Sequence, residues 1–283
     1  MEFTKMHGTG NDFIIINNMK GQISEKELGH LAFALCNRKL SIGADGLMAV
    51  GRPECGGDFK MSFYNDDGSA AEMCGNGARC IARYGWENGL AGEEQKIETP
   101  SGMVYGWRLN ERMYKIRLND VTKIQLHKNV KLLGEEHNYS YVELGRPGLP
   151  HVIINVKNLK FSDAANLKEA ASLIRHNKIF TNGTNVNFYD LSDKNEITLL
   201  TYERGVEDFT LACGTGAGAT VAALSLLDEV SKDGVKVGVM GGELQVTAVK
   251  KNEAIDELYL TGLTCLVAKG EIMEEAICVP LDE

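Results

Sequence analysis

The chain has 283 residues, of which 43% are hydrophobic and 24% are charged, and its formal net charge is −9 at pH 7. This length favours two domains rather than one. An acidic chain without clusters of Lys and Arg does not match a phosphate backbone, so we expect no nucleic-acid partner. No apolar run is long enough to span a bilayer, and the first residues lack the apolar core of a signal peptide. We therefore expect no membrane partner and a cytoplasmic protein.

The first quarter of the chain contains clear signals for a strand and a helix. A glycine turn precedes the β-rich run 13–16, which predicts a buried strand. The segment 24–36 predicts a helix that begins with a capping box between Ser24 and Glu27. One face of that helix is apolar at Leu28, Leu31, Ala32 and Leu35.

The next elements lead to a cysteine on a glycine-rich turn. A glycine turn opens a strand within 41–50, and the alternating run 59–64 predicts another strand that ends in a polar turn at 65–68. Cys74 follows, and a helix is expected from there to residue 86. Two further runs, 103–109 and 113–118, predict a hairpin.

The first half of the chain returns in the second half, shifted by about half the chain length. The sequence CGNGA at 74–78 reappears as CGTGA at 213–217. Three more matched segments, or landmarks, occur in the same order in both halves. They are 10–14 with 148–152, 63–66 with 201–204, and the hairpin that begins at 102 with the one that begins at 242. The consequence is a duplicated α+β unit in which strands surround a buried helix. The helix after Cys213 is apolar nearly all round, which predicts an enclosed position.

A cysteine immediately before a helix has a defined chemistry. The unpaired N–H groups and the positive end of the helix dipole favour its thiolate, so its pKa should fall below the free value of about 8.5. The neighbouring glycines let a small ligand approach the backbone, and a carboxylate suits such a helix start. Two facing copies would place one sulfur on each side of an α-carbon. That arrangement suits proton removal from one face and proton return to the other, and it requires no cofactor.

Other interpretations of these motifs are weaker. The glycines at 214, 216 and 218 resemble a dinucleotide loop, but the acidic partner for the ribose is absent. No Cys-x-x-Cys or closely spaced His pair exists, so no metal site is predicted. A non-catalytic amino-acid binding protein remains an alternative, since it would need the cleft and not the sulfurs. We expect the five other cysteines to be buried or partly buried residues outside any disulfide framework, namely Cys36, Cys55, Cys80, Cys265 and Cys278.

Seven motifs together resemble the diaminopimelate epimerase family, and they lie at 5–13, 43–46, 64–68, 73–77, 183–188, 203–206 and 212–216. Proline racemases share the paired cysteines, but Asn76 and the opening motif are similar to the diaminopimelate branch. The resemblance implies an α+β fold of two pseudo-symmetric domains, each a curved, mostly antiparallel, barrel-like sheet around a central helix. We place the first domain, with Cys74, at 1–118 plus about 264–283, and the second, with Cys213, at 119–263. Relatives are often dimers, so a homodimer is expected.

The resemblance also implies roles for individual residues. Cys74 and Cys213 would be the acid/base pair, assisted by His151 and Glu203. The reacting carboxylate would receive backbone N–H groups from Gly75, Asn76, Gly214 and Thr215. The rest of the substrate would be held by Asn11, Asn65, Asn185, Glu203 and Arg204. In this set Arg204 would grip the far carboxylate by a charge-assisted fork.

Two departures from the family pattern concern the substrate. Leu149 stands where the family usually has an asparagine that helps bind the far end of diaminopimelate. The segment 203–213 is one residue longer than usual and contains Phe209. Loss of a buried amide partner would cost about 1–3 kcal/mol, so Leu149 and Phe209 are the specificity candidates. The sequence thus predicts a cofactor-independent amino-acid epimerase with diaminopimelate as the leading substrate, and a racemase of another α-amino acid such as histidine as the alternative.

Overall fold

The computed structural model describes residues 1–71, 74–132 and 135–277. The chain forms two compact units, Met1–Ile116 with Leu263–Glu283 (unit 1) and Arg117–Gly262 (unit 2). The helices in the described residues are α1 (Glu25–Leu35), α2 (Gly75–Glu87), α3 (Ala164–Arg175) and α4 (Gly214–Leu226), with short 3₁₀ turns at Phe161–Asp163 and Glu274–Ala276. The strands are β1 (Glu2–Gly8), β2 (Asn11–Asn17), β3 (Gly46–Gly51), β4 (Phe59–Asn65), β5 (Ala70–Ala71), β6 (Glu94–Thr99), β7 (Gly102–Arg108), β8 (Met113–Arg117), β9 (Val121–Leu132), β10 (Glu135–Leu144), β11 (Leu149–Asn155), β12 (Asn185–Asp193), β13 (Glu196–Glu203), β14 (Asp208–Phe209), β15 (Val235–Val239), β16 (Gly242–Lys251), β17 (Ala254–Leu263) and β18 (Cys265–Glu271).

Unit 1 is a mostly antiparallel sheet that surrounds one helix. β18, β1 and β2 are antiparallel neighbours, β2 and β3 are parallel, and β3 and β4 are antiparallel. β4 then pairs with β5 and, in parallel, with β6, which continues antiparallel through β7 to β8. α2 contacts β1, β2 and β7, and its residues 75–85 are all buried.

Unit 2 repeats this pairing strand by strand. β9, β10 and β11 are antiparallel neighbours, β11 and β12 are parallel, and β12 and β13 are antiparallel. β13 pairs with β14 and, in parallel, with β15, which continues antiparallel through β16 to β17. α4 contacts β9 to β12 and β16, and residues 214–224 are buried. The predicted α+β class and internal duplication are therefore confirmed.

The predicted helix in the first quarter of the chain is α1, and its capping box is present. Ser24 Oγ accepts from Glu27 N at 3.4 Å, and Glu27 Oε2 accepts from Ser24 N at 2.7 Å. The expected apolar face, with Leu28, Leu31 and Leu35, is buried against β2 and β3 in the core of unit 1. The local capping signal and the helical period thus determined this element.

The parallel strand pairs fix which polar side chains become neighbours. In unit 1 the register aligns Phe13 with Gly46, so the preceding residues Asp12 and Asp45 lie together, and Asp45 N donates to Asp12 O at 3.0 Å. In unit 2 the equivalent pair of strands aligns His151 with Asn185. Residues that are far apart in sequence therefore meet at the same point of each repeat.

The prediction for the remaining cysteines is confirmed at three positions and wrong at one. Cys36 and Cys80 are buried and Cys265 is partly buried, and burial raises the pKa of the first two thiols to about 12. Cys55 is exposed. It lies on a loop that wraps the carboxylate of Glu98, to which Cys55 N donates at 2.5 Å, and this backbone contact leaves the side chain in solvent. Cys278 lies outside the described residues.

The described helices are also informative about membranes. None of those in 1–71, 74–132 and 135–277 combines the length and the apolar character that a bilayer-spanning helix needs.

Candidate active site

Cys74 is the N-cap of α2 in unit 1, so its sulfur lies beside the first turn of a buried helix. Its backbone is extended, with φ −110° and ψ 121°, and its carbonyl oxygen accepts the first helical hydrogen bond from Ala78 N at 2.8 Å. The sulfur donates to Asn11 Oδ1 at 3.3 Å. The side chain is partly buried, which suits a group that must meet a ligand.

Asn11 is held by a network of charged groups at the ends of β2 and β3. Its Nδ2 donates to Asp45 Oδ2 at 2.6 Å. Arg38 Nη2 forms ion pairs with Asp45 Oδ1 at 2.6 Å and with Asp12 Oδ1 at 2.7 Å. Burial raises the pKa of Asp12, but hydrogen bonds from Arg38 and Lys5 outweigh burial and bring it to about 2. Asp12 is therefore ionised near neutral pH.

The other unit 1 candidates lie on either side of Cys74. Gly75 and Asn76 are the first two residues of α2, and both are buried. Their N–H groups belong to the first turn, whose donors have no acceptor within the helix. Asn65 ends β4, and its Nδ2 donates to Ser69 Oγ at 3.0 Å across the turn at 65–68.

Cys213 occupies the equivalent N-cap of α4 in unit 2. Its sulfur accepts a hydrogen bond from Gly216 N at 3.4 Å and lies 3.4 Å from Thr215 Oγ1. Only 6% of the residue is exposed. Gly214 and Thr215 follow it in the buried first turn. This sulfur thus faces hydrogen-bond donors of a helix start, which favour a negative charge.

A buried polar cluster backs the first turn of α4. Asn187 Oδ1 accepts from Thr201 Oγ1 at 2.9 Å, and Asn187 Nδ2 donates to Val152 O at 2.9 Å. A Cβ added at Gly216 would lie 2.3 Å from Asn187 Oδ1 and 3.0 Å from Thr201 Oγ1. The glycine of the motif is therefore required by the close approach of these side chains.

His151 is a neutral, fully buried histidine in β11. Its Nδ1 lies 3.3 Å from Asn187 Nδ2, whose orientation is fixed by the donation to Val152 O, so Nδ1 accepts and the proton is on Nε2. Burial lowers the pKa of His151 to about 3, and the positive charge of Arg204 adds to this shift. Nε2 has no hydrogen-bond partner among the described residues.

Asn185, Glu203 and Arg204 lie together at the ends of β12 and β13. Asn185 Oδ1 accepts from Arg204 N at 2.9 Å, and Asn185 Nδ2 donates to Pro150 O at 3.2 Å. Arg204 is exposed, and its Nη1 donates to Asn182 O at 2.9 Å. Glu203 is half-buried and accepts from Thr210 Oγ1.

The structure groups the candidate residues within each unit. In unit 1 it brings Cys74 to Asn11, and in unit 2 it places His151 and Asn185 on adjacent strands. Within residues 1–71, 74–132 and 135–277, no three His, Cys, Asp or Glu side chains are grouped as a metal site would need.

Comparisons with known proteins show the family of the chain. The family model described as "Diaminopimelate epimerase" matches residues 3–120 and 146–266. A diaminopimelate epimerase from Aquifex aeolicus is 35% identical over 285 residues, which cover 98% of this chain and 99% of the relative. One from Archaeoglobus fulgidus is 38% identical over 280 residues, 95% of each. The chain belongs to the diaminopimelate epimerase family. The resemblance noted in the sequence is confirmed.

Solved structures outside the diaminopimelate epimerase family share its fold. A probable proline racemase from Agrobacterium radiobacter superposes with a TM-score of 0.72 at 15% identity, covering 99% of this chain and 96% of that chain. A phenazine biosynthesis protein of the PhzF family from Bacillus anthracis gives 0.74 at 15% identity, with 96% and 99% covered. The duplicated sheet around a helix is thus a fold used by several groups of proteins.

In this member of the diaminopimelate epimerase family, the segment predicted to be longer than usual packs against the core of unit 2. Glu207 adopts φ 58° and forms an ion pair with Arg175 of α3 at 2.9 Å. Phe209 turns towards the core of unit 2, where its ring lies 5.6 Å from that of Tyr202 in an edge-on arrangement and 6.2 Å from that of Phe188. Leu149 begins β11 opposite Leu144 of β10 and is half-buried. Phe209 therefore has a packing role, whatever else it contacts.

Sequence reasoning did not single out three residues of these clusters as site residues. Asp45 orients Asn11, while Asn187 and Thr201 form the cluster behind α4. Asp45 and Asn187 both lie inside the motifs at 43–46 and 183–188, so motif membership was an available signal. Thr201 is the first residue of the repeat landmark at 201–204, but that position alone did not indicate a role in the site.

Proposed function

We propose that this protein inverts the configuration of diaminopimelate at an α-carbon, with Cys74 and Cys213 as the acid and base. The observation that carries the proposal is the duplicated placement of the two cysteines. Each is the N-cap of a buried, glycine-rich helix at the same position of a repeated sheet. Membership of the family over nearly the whole chain supports the same reaction, because both curated relatives described above are diaminopimelate epimerases.

The chemistry needs one thiolate and one thiol. The thiolate takes the α-proton, and the electron pair of the broken C–H bond is delocalised into the α-carboxylate. The thiol then gives its proton to the opposite face of the carbon, so configuration inverts and the two sulfurs exchange protonation states. Backbone N–H groups at the two helix starts would stabilise the charge on the carboxylate, at Gly75, Asn76, Gly214 and Thr215. No cofactor is required for these steps.

The remaining candidate residues would hold the substrate or assist the two cysteines. Arg204 is exposed and offers a guanidinium for the distal carboxylate, while Asn11, Asn65, Asn185 and Glu203 would hold the amino-acid groups. His151 and Glu203 would assist the cysteines. The neutral state of His151 suits a hydrogen-bond donor through Nε2 rather than a second cation near the substrate.

A second candidate substrate is favoured by Leu149. A leucine in place of an amide removes a donor from the position that usually serves the far end of diaminopimelate, so another α-amino acid such as histidine is the alternative. The test is α-proton exchange in D2O with a panel of diaminopimelate and mono-carboxylate amino acids. Deuterium is expected to appear faster at the α-carbon of diaminopimelate than at that of the mono-carboxylate amino acids. Preference for a mono-carboxylate substrate would replace the substrate assignment, and no exchange at all would favour a non-catalytic binding protein.

The mechanism predicts that either cysteine alone is insufficient. Cys74→Ala and Cys213→Ala, each made singly, should lower kcat for epimerisation by at least 10²-fold, since a positioned acid or base contributes about 10²–10⁴-fold. Chiral chromatography of the product measures the effect. Cys36→Ala, at a buried thiol of unit 1, is the matched control and should retain activity. Full activity in either catalytic-cysteine variant would contradict the two-base mechanism.

The proposal extends to compartment and assembly. A reactive pair of thiols requires a reducing environment, which supports the cytoplasm. A homodimer is proposed because relatives in the family are often dimers. Light scattering during gel filtration would measure the mass of the protein in solution. A monomeric mass would remove that part of the proposal.

A further inference from the structure

We propose that Glu207 and Arg175 are positioning residues for Arg204, and that their ion pair keeps the Arg204 guanidinium in place to bind the distal carboxylate of the substrate. The part of this inference that concerns the substrate rests on the proposed function. All contacts that carry it lie within unit 2. Glu207 also belongs to the segment in which the chain departs from the family pattern.

Arg204 lies in the turn 204–207, which joins β13 to β14. Glu203 and Asp208 pair across the two strands, and Glu207 N donates to Glu203 O at 2.9 Å to close the turn. Glu207 has a φ of 58°, in the left-handed region. Its side chain folds back over the turn, where Oε1 accepts from Gly205 N at 3.0 Å. The Glu207 carboxylate therefore holds the backbone directly after Arg204.

The same carboxylate oxygen binds Arg175 of α3. Arg175 Nε donates to Glu207 Oε1 at 3.0 Å, and Arg175 Nη2 lies 2.9 Å from the same oxygen. The side chain of Arg175 is only 15% exposed, so its charge is poorly solvated and needs a counterion. Burial raises the pKa of Glu207, but the hydrogen bond from Gly205 N and the charge of Arg175 outweigh burial and lower it below its ordinary value. Glu207 is therefore ionised near neutral pH and supplies that counterion.

Gly183 shows how close the two arginine side chains lie. A Cβ added at Gly183 would be 2.1 Å from Arg175 Nη1 and 3.4 Å from Arg204 Cδ. The guanidinium of Arg175 thus approaches the stem of Arg204, and two cations so close repel each other unless one is neutralised. Glu207 offsets the charge of Arg175, while Arg204 Nη1 donates to Asn182 O at 2.9 Å.

Loss of either member of the ion pair should have the same result. Without the charge of Glu207, the cation of Arg175 is uncompensated beside Arg204. Without Arg175, the Glu207 carboxylate becomes available to pair with Arg204. In both cases Arg204 binds a distal carboxylate less well, whereas the groups that act on the α-carbon keep their places. The pair therefore determines the affinity for a dicarboxylate substrate and not the rate of proton transfer.

The kinetic test separates KM from kcat for diaminopimelate. Glu207→Gln and Arg175→Gln should each raise KM by at least about tenfold, because a charge-assisted hydrogen bond to the distal carboxylate is weakened. The value of kcat should stay within about threefold of that of the native protein. The added positive charge in Glu207→Gln would by itself strengthen attraction for a carboxylate, so an unchanged or lower KM would overturn the positioning role. A rise in only one of the two variants would overturn the role of the pair.

Asp208→Asn is the matched control, because it removes a charge from the next residue and from another ion pair with α3. Asp208 Oδ2 lies 2.6 Å from Lys168 Nζ, and the two side chains are 51% and 50% exposed. Exposed pairs of this kind contribute little, so KM should change by less than about twofold. A rise in KM equal to that in Glu207→Gln would mean a general effect of charge near the turn and would overturn the role of Glu207.

Amide hydrogen exchange tests the positioning without a substrate. In Glu207→Gln and in Arg175→Gln, peptides that cover the turn 204–207 should lose protection relative to the native protein and to Asp208→Asn. Peptides from the buried helix α4 should keep their protection, which shows that unit 2 remains folded in the variant that is read. Unchanged protection of the turn would overturn the positioning role. Because this measurement needs no turnover, a failure of α-proton exchange with every amino acid would count against the proposed function alone.

Discussion

His151 is a buried histidine that the fold keeps neutral, and this has a consequence for stability. Its pKa is lowered to about 3 by burial, with a further contribution from Arg204, whereas an unfolded histidine titrates near 6.5. Between these pH values the unfolded chain binds a proton that the folded chain does not. The stability of the folded protein should therefore be full above about pH 6.5 and fall as the pH drops towards 3.

The prediction is that His151→Gln removes this acid sensitivity. Between pH 7.5 and 5.0 the native protein should lose about 2 kcal/mol of unfolding free energy through His151, at about 1.4 kcal/mol per pH unit below 6.5. The variant should be less stable at pH 7.5 but should lose less on acidification. Urea unfolding at the two pH values measures the difference. His30→Gln, at an exposed histidine, should keep the acid sensitivity, and a parallel pH response of all three proteins would contradict the assignment.

At the scale of residues, the sequence predicted what is local and missed what depends on strand register. Cys74 and Cys213 could be placed at helix starts, because glycine-rich turns before helical runs are local signals. The contact between Asn11 and Asp45 joins residues 34 positions apart. It exists because β2 and β3 pair in parallel in one register, which no pattern in either strand specifies.

At the scale of elements, α4 is a helix with little space for added side-chain atoms. It is buried along residues 214–224, and its glycines lie where neighbouring side chains approach its backbone. Its apolar composition predicted enclosure correctly, but the polar cluster of Asn187 and Thr201 behind its first turn was not predicted. Helical periodicity shows which side chains of a helix are apolar. It does not show which residues of other elements pack against the helix.

The prediction at this scale is that Gly216→Ala destabilises the protein. The new Cβ would lie 2.3 Å from Asn187 Oδ1, an atom held by a buried hydrogen bond, so α4 or the cluster must shift. Overpacking of this kind costs about 1–3 kcal/mol, and the midpoint of urea unfolding should fall accordingly. Gly238→Ala in β15 is the control, because its Cβ would meet nothing closer than 3.7 Å. Similar urea midpoints for the two variants would contradict this prediction, because the polar cluster would then have moved to accept the new Cβ at little cost in free energy.

At the scale of the whole molecule, each unit contains an apolar cluster among its described residues. The core of unit 1 includes Leu35, which is fully buried, and that of unit 2 includes Leu200, which is 1% exposed. The duplication was predicted from four landmarks in the sequence. The sequence did not predict that β18 and β9 take equivalent positions in the two sheets. β18 comes last in its repeat along the chain, whereas β9 comes first in its own.

An apolar cluster in each unit predicts a local response to a cavity made in that cluster. Leu35→Ala and Leu200→Ala should each cost about 2–5 kcal/mol. Amide hydrogen exchange should rise in unit 1 for the first variant and in unit 2 for the second, as mass spectrometry of peptides would show. An equal rise throughout the described chain for either variant would contradict a local response.

The pairing of β18 with β1 also affects how the protein emerges from the ribosome. β1 and β2 are made first, but the strand that completes their sheet follows the whole of Arg117–Gly262. At about 5–20 residues per second, that stretch takes roughly 7–29 seconds to synthesise. Unit 2 is uninterrupted and is therefore free to finish folding while β1 still has an open edge. During translation the second half of this molecule is thus the natural place for folding to begin, and the nascent first half is the part that exposes an edge to chaperones or to neighbouring chains.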